Sequence, residues 1–250
     1  MSVSYIRYSI LKVVLCLFSL GIVPNLYAQT TYKVTYHISE PKLLGSKKDL
    51  DKKGKQLVEQ IVDYAKNINY ILITNQNESY FEQENILKKE SNNPLEPVLE
   101  KMAKRFASFH KAVYANHNED SIIFIKNLLD QDFKVKRNYY NFNWVLKDDN
   151  KKIMGFNAKK ALGSYINSVT NKELKVEAWF IPSIPLQSGP DIFMGLPGLI
   201  AEINLNKAVI TIKKIEKNTN LEINKVDDSK VMTQKEYEVL IKDLTKKFID

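Results

Sequence analysis

The chain has a single cysteine, Cys16, and it falls inside the apolar segment at the start. A mature protein without that segment has no thiol, which excludes a disulfide, a thiolate metal site and a cysteine nucleophile. Histidine is nearly as scarce, with His37, His110 and His117 the only three in 250 residues. There is no His-Glu-x-x-His, no Gly-x-Ser-x-Gly, no glycine-rich phosphate cradle and no dinucleotide fingerprint. The signatures of zinc peptidases, α/β-hydrolases, nucleotide hydrolases and nicotinamide enzymes are therefore missing. Past the N-terminal segment, no apolar run reaches the roughly 20 residues that a membrane-spanning helix needs. No internal repeat or low-complexity tract is present either. These absences lead us to expect a non-enzymatic protein with no cofactor and no metal, not integral to a membrane.

What is present begins with a leader. Arg7 and Lys12 give a positive start, residues 13–23 an apolar middle, and Leu26-Tyr27-Ala28 the exit, the three parts of a secretory signal. Residues 1–28 are expected to be a signal peptide and residues 29–250 a single domain. A lipid-anchored start on Cys16 is the rival reading, but Leu15 stands where a small residue belongs. The formal charge of +8 is scattered, as in Lys47-Lys48, Lys104-Arg105 and Lys134-Lys136-Arg137. Such lysines ordinarily make a solvated face. An exported chain is not expected to meet nucleic acid, while an anionic lipid surface would attract it over about a Debye length.

Along the chain, Tyr32, Val34, Tyr36 and Ile38 alternate with the period of a half-buried strand. Across residues 54–66, Leu57, Val58, Ile61, Val62 and Ala65 recur at three and four, one stripe of a helix. A hairpin around Asn75-Gln76-Asn77 follows. Past Pro94, the residues Leu95, Val98, Leu99, Met102 and Phe106 mark a second helix. From Lys111 to Ile215 the period is two. Lys147-Asp148-Asp149-Asn150-Lys151 is expected to turn one strand, residues 140–146, back onto another, residues 152–162, and Asn206-Lys207 to turn the last long pair. Tyr140, Phe142, Trp144 and Leu146 would then share one face. Thr233 with Glu236 makes a capping box that opens a third helix carrying Tyr237, Leu240, Ile241, Leu244 and Phe248. The predicted class is α+β: a predominantly curved antiparallel β-sheet, half-barrel-like, with about three amphipathic helices packed on it.

The densest glycine and proline in the chain lies at Gly189-Pro190 and at Gly195-Leu196-Pro197-Gly198-Leu199-Ile200, after Ala178-Trp179-Phe180-Ile181-Pro182. Together with Trp144-Val145-Leu146, Lys152-Ile153-Met154-Gly155-Phe156, Lys159-Lys160-Ala161, Val176-Glu177, Ile184-Pro185 and Phe193, these residues resemble the GLPGLI, or Porph_ging-type, family. The resemblance runs from about Tyr140 to Leu205. It implies an exported protein of a Gram-negative bacterium whose biochemical function is not established. Family members often carry cysteine where this chain has Ala158, and usually tyrosine where it has Phe156 and Phe180. Those departures weaken any catalytic reading that would rest on such groups.

The loop is expected to be architecture, a packed crossover that folds Phe193 and Leu196 back onto the sheet. No ionisable group is expected to converge on it. The alternative has free amides near Gly195 and Gly198 forming a nest for an anion or a peptide carbonyl. His117, in Asn116-His117-Asn118-Glu119-Asp120, could offer a loose metal site but reads more simply as a solvated turn. Two functions follow. One is a carrier or sensor for an apolar or envelope-derived ligand in the periplasm or at the outer membrane, its cavity lined by Tyr140, Phe142 and Trp144 with Trp179 or Phe180 across the sheet. The other is an interaction module accessory to an outer-membrane transporter or protease, using an exposed edge or the Gly189 to Ile200 loop.

Overall fold

The computed structural model describes residues 30–43, 50–84, 94–128, 131–167, 171–218 and 221–249. The expected signal peptide lies outside them. The strands are β1 (Thr31–Pro41), β2 (Asn69–Thr74), β3 (Glu78–Gln83), β4 (Ala112–Asn116), β5 (Ser121–Leu128), β6 (Gln131–Asn138), β7 (Val145–Ile153), β8 (Phe156–Asn167), β9 (Lys172–Ile181), β10 (Leu199–Asn204), β11 (Ala208–Asn218) and β12 (Met232–Thr233). The helices are α1 (Lys52–Lys66), α2 (Glu96–Ala103) and α3 (Gln234–Ile249). All twelve strands join one sheet in the order β12-β6-β5-β4-β3-β2-β1-β11-β10-β9-β8-β7. Every pairing is antiparallel except the short parallel contact of β12 with β6. Because β12 and β7 end the order without meeting, the curved sheet does not close into a barrel.

Curvature has local causes. Register shifts interrupt β1 against β11 at Thr35/Tyr36 and Ile38/Glu40, and β10 against β9 at Ile200/Glu202. A shift of this kind leaves one strand longer than its partner, so the strand bends and its twist increases. On the inner face β1 contributes Val34, Tyr36 and Ile38, β2 Tyr70 and Leu72, β3 Phe81, and β5 Ile122 and Phe124, all buried. The same core takes in Ile61 and Ala65 of α1, Leu99 and Ala103 of α2, and Tyr237 of α3. Of the stripe expected on α2, Leu99 and Phe106 are buried, but Leu95, Val98 and Met102 are exposed.

Caps and turns match their sequence signals at most joints. Asp51 caps α1 by accepting from the Gly54 amide at 2.7 Å. Thr233 and Glu236 exchange the two bonds of the capping box at the start of α3. The β2–β3 hairpin turns at residues 75–77 and β10 gives way to β11 at residues 205–207, as expected.

One hairpin differs. Residues 147–151 do not turn but lie within β7, where a register shift separates Leu146 from Asn150, and the chain reverses at Met154-Gly155. Both turn residues have positive φ, 50° and 84°, the pair of signs that a two-residue hairpin with matching strand twist requires. Asp148 and Asp149 are tolerated in the strand because β7 is an edge, where one row of backbone groups faces solvent. The aromatic segment is also irregular. Residues 139–144 precede β7, Asn143 takes φ 48°, and the alternation expected over Tyr140 to Leu146 breaks there: Phe142 is 2% exposed and Leu146 53%.

Candidate functional site

The segment between β9 and β10, residues 182–198, crosses the inner face of the curved sheet and is bonded to both of its halves. Its own backbone sets the path. The Gly195 amide donates to Gln187 O at 2.8 Å, Gly198 to Leu196 O at 2.8 Å, Leu199 to Ile184 O at 2.9 Å and Ile200 to Ser188 O at 3.0 Å. The amides of Gly195 and Gly198, which an anion nest would need, are therefore spent inside the loop. Gly198 has φ 155°, and a Cβ there would sit 2.4 Å from Ile181 O. Only glycine passes so close to β9 at that dihedral.

Aromatic rings seat the loop on the sheet. Phe193 lies 5.3 Å from Phe142 and 6.1 Å from Tyr165, centroid to centroid, while Phe142 stacks on Trp144 at 5.1 Å. Trp144 Nε1 donates to Met194 O at 3.0 Å. From β1, the Tyr36 hydroxyl donates to Ile200 O at 2.7 Å. Gly189, Pro190, Phe193, Leu196, Leu199 and Ile200 are all buried, and Gly195 and Pro197 are exposed. Trp144 borders the loop; Trp179 does not. Trp179 alternates with the inward Ala178 and Phe180 and so belongs to the other face of β9. There Lys151 stands 4.4 Å above its ring, Glu177 accepts from its Nε1 at 3.1 Å, and Lys160 pairs with Glu177 at 2.9 Å.

The expectation that no ionisable group converges on the loop does not hold. Asp191, within it, takes φ 56° and is 5% exposed. Its Oδ1 accepts from the His110 amide at 3.0 Å and from His110 Nδ1 at 2.8 Å. A carboxylate can only accept, so Nδ1 donates, and Nε2 makes no hydrogen bond among the described residues. At the other end of β4, His117 is half-buried rather than solvated. Its Nδ1 meets the Tyr139 hydroxyl at 2.6 Å and its Nε2 meets Ser188 Oγ at 2.9 Å. Ser188 in turn is 2.7 Å from Thr74 Oγ1. Burial pushes the His117 pKa below its usual value, although Asp120 and Glu78 pull the other way. The neutral ring fits a continuous chain: Tyr139 donates to Nδ1, Nε2–H donates to Ser188, and Ser188 donates to Thr74. Both nitrogens of His117 are engaged, and no three potential ligand side chains gather for a metal among the described residues.

Beside the His110–Asp191 pair lies a cavity of about 300 Å³. Phe109, Phe124, Tyr140 and Tyr165 give it aromatic walls, and Lys126 of β5, Asn167 of β8, Leu174 of β9 and Gln234 and Tyr237 of α3 also line it. The Arg137 guanidinium lies 3.5 Å from the Tyr140 ring centroid. Burial, then the Asp191 charge, pushes the Tyr165 pKa up to about 12. Burial also raises Tyr70, and again Asp191 adds to it. The carboxylate is therefore felt across the aromatic wall. No sequence signal pointed to this cavity, because His110 and Asp191 are 81 residues apart.

Residues 149–202, from within β7 to β10 and including the whole crossing loop, match the family model described as a protein of unknown function, Porph_ging. The GLPGLI resemblance read from the sequence is to that family. No curated protein matches the chain significantly. Among solved structures it is similar to PNGF-II, seen in two crystal forms, with a TM-score of 0.50 and 19% identity over 85% of this chain. The match covers 32% and 33% of the two PNGF-II chains, so this chain spans about a third of that protein's length. At such identity the likeness is one of fold.

Proposed function

We propose that the protein is an exported, non-enzymatic binding protein of the Gram-negative envelope, a carrier or sensor whose ligand occupies the cavity beside Asp191. The observation that carries this reading is the cavity itself: partly enclosed, mixed in polarity, and built around a carboxylate that is 5% exposed. Ligand sites commonly combine apolar and aromatic walls with a few fixed polar groups, and about 300 Å³ is the small end of their range. That size favours a compact ligand over a long acyl chain. Phe193 fills the space under Phe142 that a carrier of acyl chains would keep open.

Two features support binding rather than catalysis. Ser188 is fully buried, with its hydroxyl held between His117 and Thr74, so it cannot reach a substrate. His110 Nε2 has no hydroxyl bonded to it among the described residues, so the His110–Asp191 pair lacks the nucleophile that it would need to activate.

The reading is tested by native mass spectrometry of the protein recovered from envelope fractions. Wild type should carry a small non-covalent mass, and Leu174→Trp, which enlarges a side chain of β9 that lines the cavity, should shed it without loss of melting temperature. Wild type that arrives empty and picks up nothing from envelope extract would overturn the reading. An interaction role for an outer-membrane transporter or protease is a second reading, favoured by the open edge. β7 and its turn expose Val145 and Leu146 at 53% each and Met154 at 50%, and an unpaired edge strand can accept a partner strand. Pull-down lost on Val145→Lys plus Leu146→Lys would support it.

A further inference from the structure

Two opposite charges on the cavity wall keep bonding capacity that no described residue fills. Asp191 uses Oδ1 alone, which accepts both bonds from His110. Oδ2 accepts none, yet it is not sealed inside the protein, and Asp191 lines the cavity. Lys126, on β5, lines the same cavity, and its ammonium makes no ion pair or hydrogen bond among the described residues. A carboxylate this buried loses much of its hydration, so an unfilled oxygen is costly unless a donor arrives. The same wall carries ring surface: Phe109, Tyr140 and Tyr165. Such faces attract both apolar groups and cations.

A lone cation would answer Asp191 and be repelled by Lys126; a lone anion would do the reverse. A neutral apolar ligand would leave both unanswered. On the reading that this cavity is the ligand site, we infer that it takes a compact zwitterion with an apolar body, a free α-amino acid with an aromatic or branched side chain. Its ammonium donates to Asp191 Oδ2, its carboxylate meets Lys126 Nζ, and its side chain lies along Tyr140 and Tyr165.

Calorimetric titration of the full mature chain tests this with three molecules of nearly one shape: L-phenylalanine, 3-phenylpropanoate, which lacks the ammonium, and phenethylamine, which lacks the carboxylate. L-phenylalanine should bind at least about tenfold tighter than either fragment, the ratio that one charge-assisted hydrogen bond supplies. Asp191→Asn keeps an oxygen for His110 and should erase the advantage over 3-phenylpropanoate alone. Lys126→Met should erase the advantage over phenethylamine alone. Should the Asp191 variant not fold, the lysine variant still decides, since it lies on a strand whose pairing does not use the ammonium.

Equal affinity for all three molecules, or a preference for either fragment, overturns the zwitterion while leaving the cavity as a site. The zwitterion is likewise overturned if none of the three binds although Leu174→Trp still sheds a carried mass. No binding of the three together with an empty wild type removes both readings.

Discussion

His117 Nε2 and Ser188 Oγ, 71 residues apart in the chain, lie 2.9 Å from each other across the inner face of the sheet. With His110 on Asp191, this contact means that both ends of β4 hold the β9–β10 loop by a histidine. Thr74 and Gln76 hold the same loop at Ser188 and Pro185, and Trp144 holds it from the other side at Met194 O. It therefore acts as a strut across the open sheet, and the chemistry of the two histidines bears on the stability of the whole.

Acidification should loosen that strut through His117. His117 has its folded pKa lowered by burial, and His37 by burial and by Lys213. The unfolded chain then takes up protons that the folded chain refuses, so stability is complete above about 6.5 and falls as the pH drops below it, until the depressed folded values are passed. The carboxylates with lowered pKa, such as Asp132 and Glu177, lose their contribution only further down. Urea midpoints measured from pH 8 to pH 5 should decline, and His117→Gln should flatten the slope. A slope unchanged in that variant would place the proton uptake elsewhere.

Removing the Ser188 hydroxyl should cost about 1–3 kcal/mol, the penalty for leaving buried partners unmade. Thr74→Val removes the far end of the same chain of bonds. Because the two hydroxyls are bonded to each other, the double variant should cost clearly less than the sum of the two single ones. Chemical denaturation of the four proteins gives the coupling. Additive losses would show that the chain is not continuous.

The two glycines of the GLPG run should respond unequally to alanine. At Gly195 a Cβ meets nothing within 4 Å, and φ is 88°, so the cost is the left-handed strain alone, about 1–2 kcal/mol. At Gly198 the added carbon would lie 2.4 Å from Ile181 O and 2.9 Å from Pro182 Cα. Backbone must move there, and Gly198→Ala should either fail to accumulate or melt far below Gly195→Ala. Similar melting temperatures for the two would contradict the close approach of loop and strand.

How much of this was legible differs from joint to joint. Alternation from Lys111 onward marked the strands, and Thr233 with Glu236 marked the start of α3, since both signals are local. Lys147 to Lys151 misled because consecutive turn formers are harmless on an edge strand, while the true reversal uses Met154, which has no turn signature. The aromatic segment misled because Asn143 at positive φ shifts the side chains that follow. The cavity was not legible at all. His110 lies between Phe109 and Lys111 and His117 between Asn116 and Asn118, with no catalytic spacing around either, and their partners Asp191 and Ser188 become visible only once the loop has crossed the sheet.

Gly163 explains how the sheet admits the tryptophan that carries that crossing. A Cβ on Gly163 would lie 2.6 Å from Trp144 Cε3 and 2.9 Å from Phe142 O. The indole lies flat over this position, and its Nε1 reaches Met194 O at 3.0 Å. Gly163→Ala must therefore lift the ring or spread β8 from the aromatic segment, where the Ser164 amide donates to Phe142 O at 2.8 Å. Overpacking of this kind costs about 1–3 kcal/mol. The displaced indole should also lose its bond to Met194 and gain water. With Trp179 replaced by phenylalanine to leave one emitter, the emission of Trp144 should shift to longer wavelength in the alanine variant, and urea should unfold it at a lower midpoint. Emission unchanged from the Gly163 parent would show that the ring does not rest on this glycine, and the loop would then need another seat.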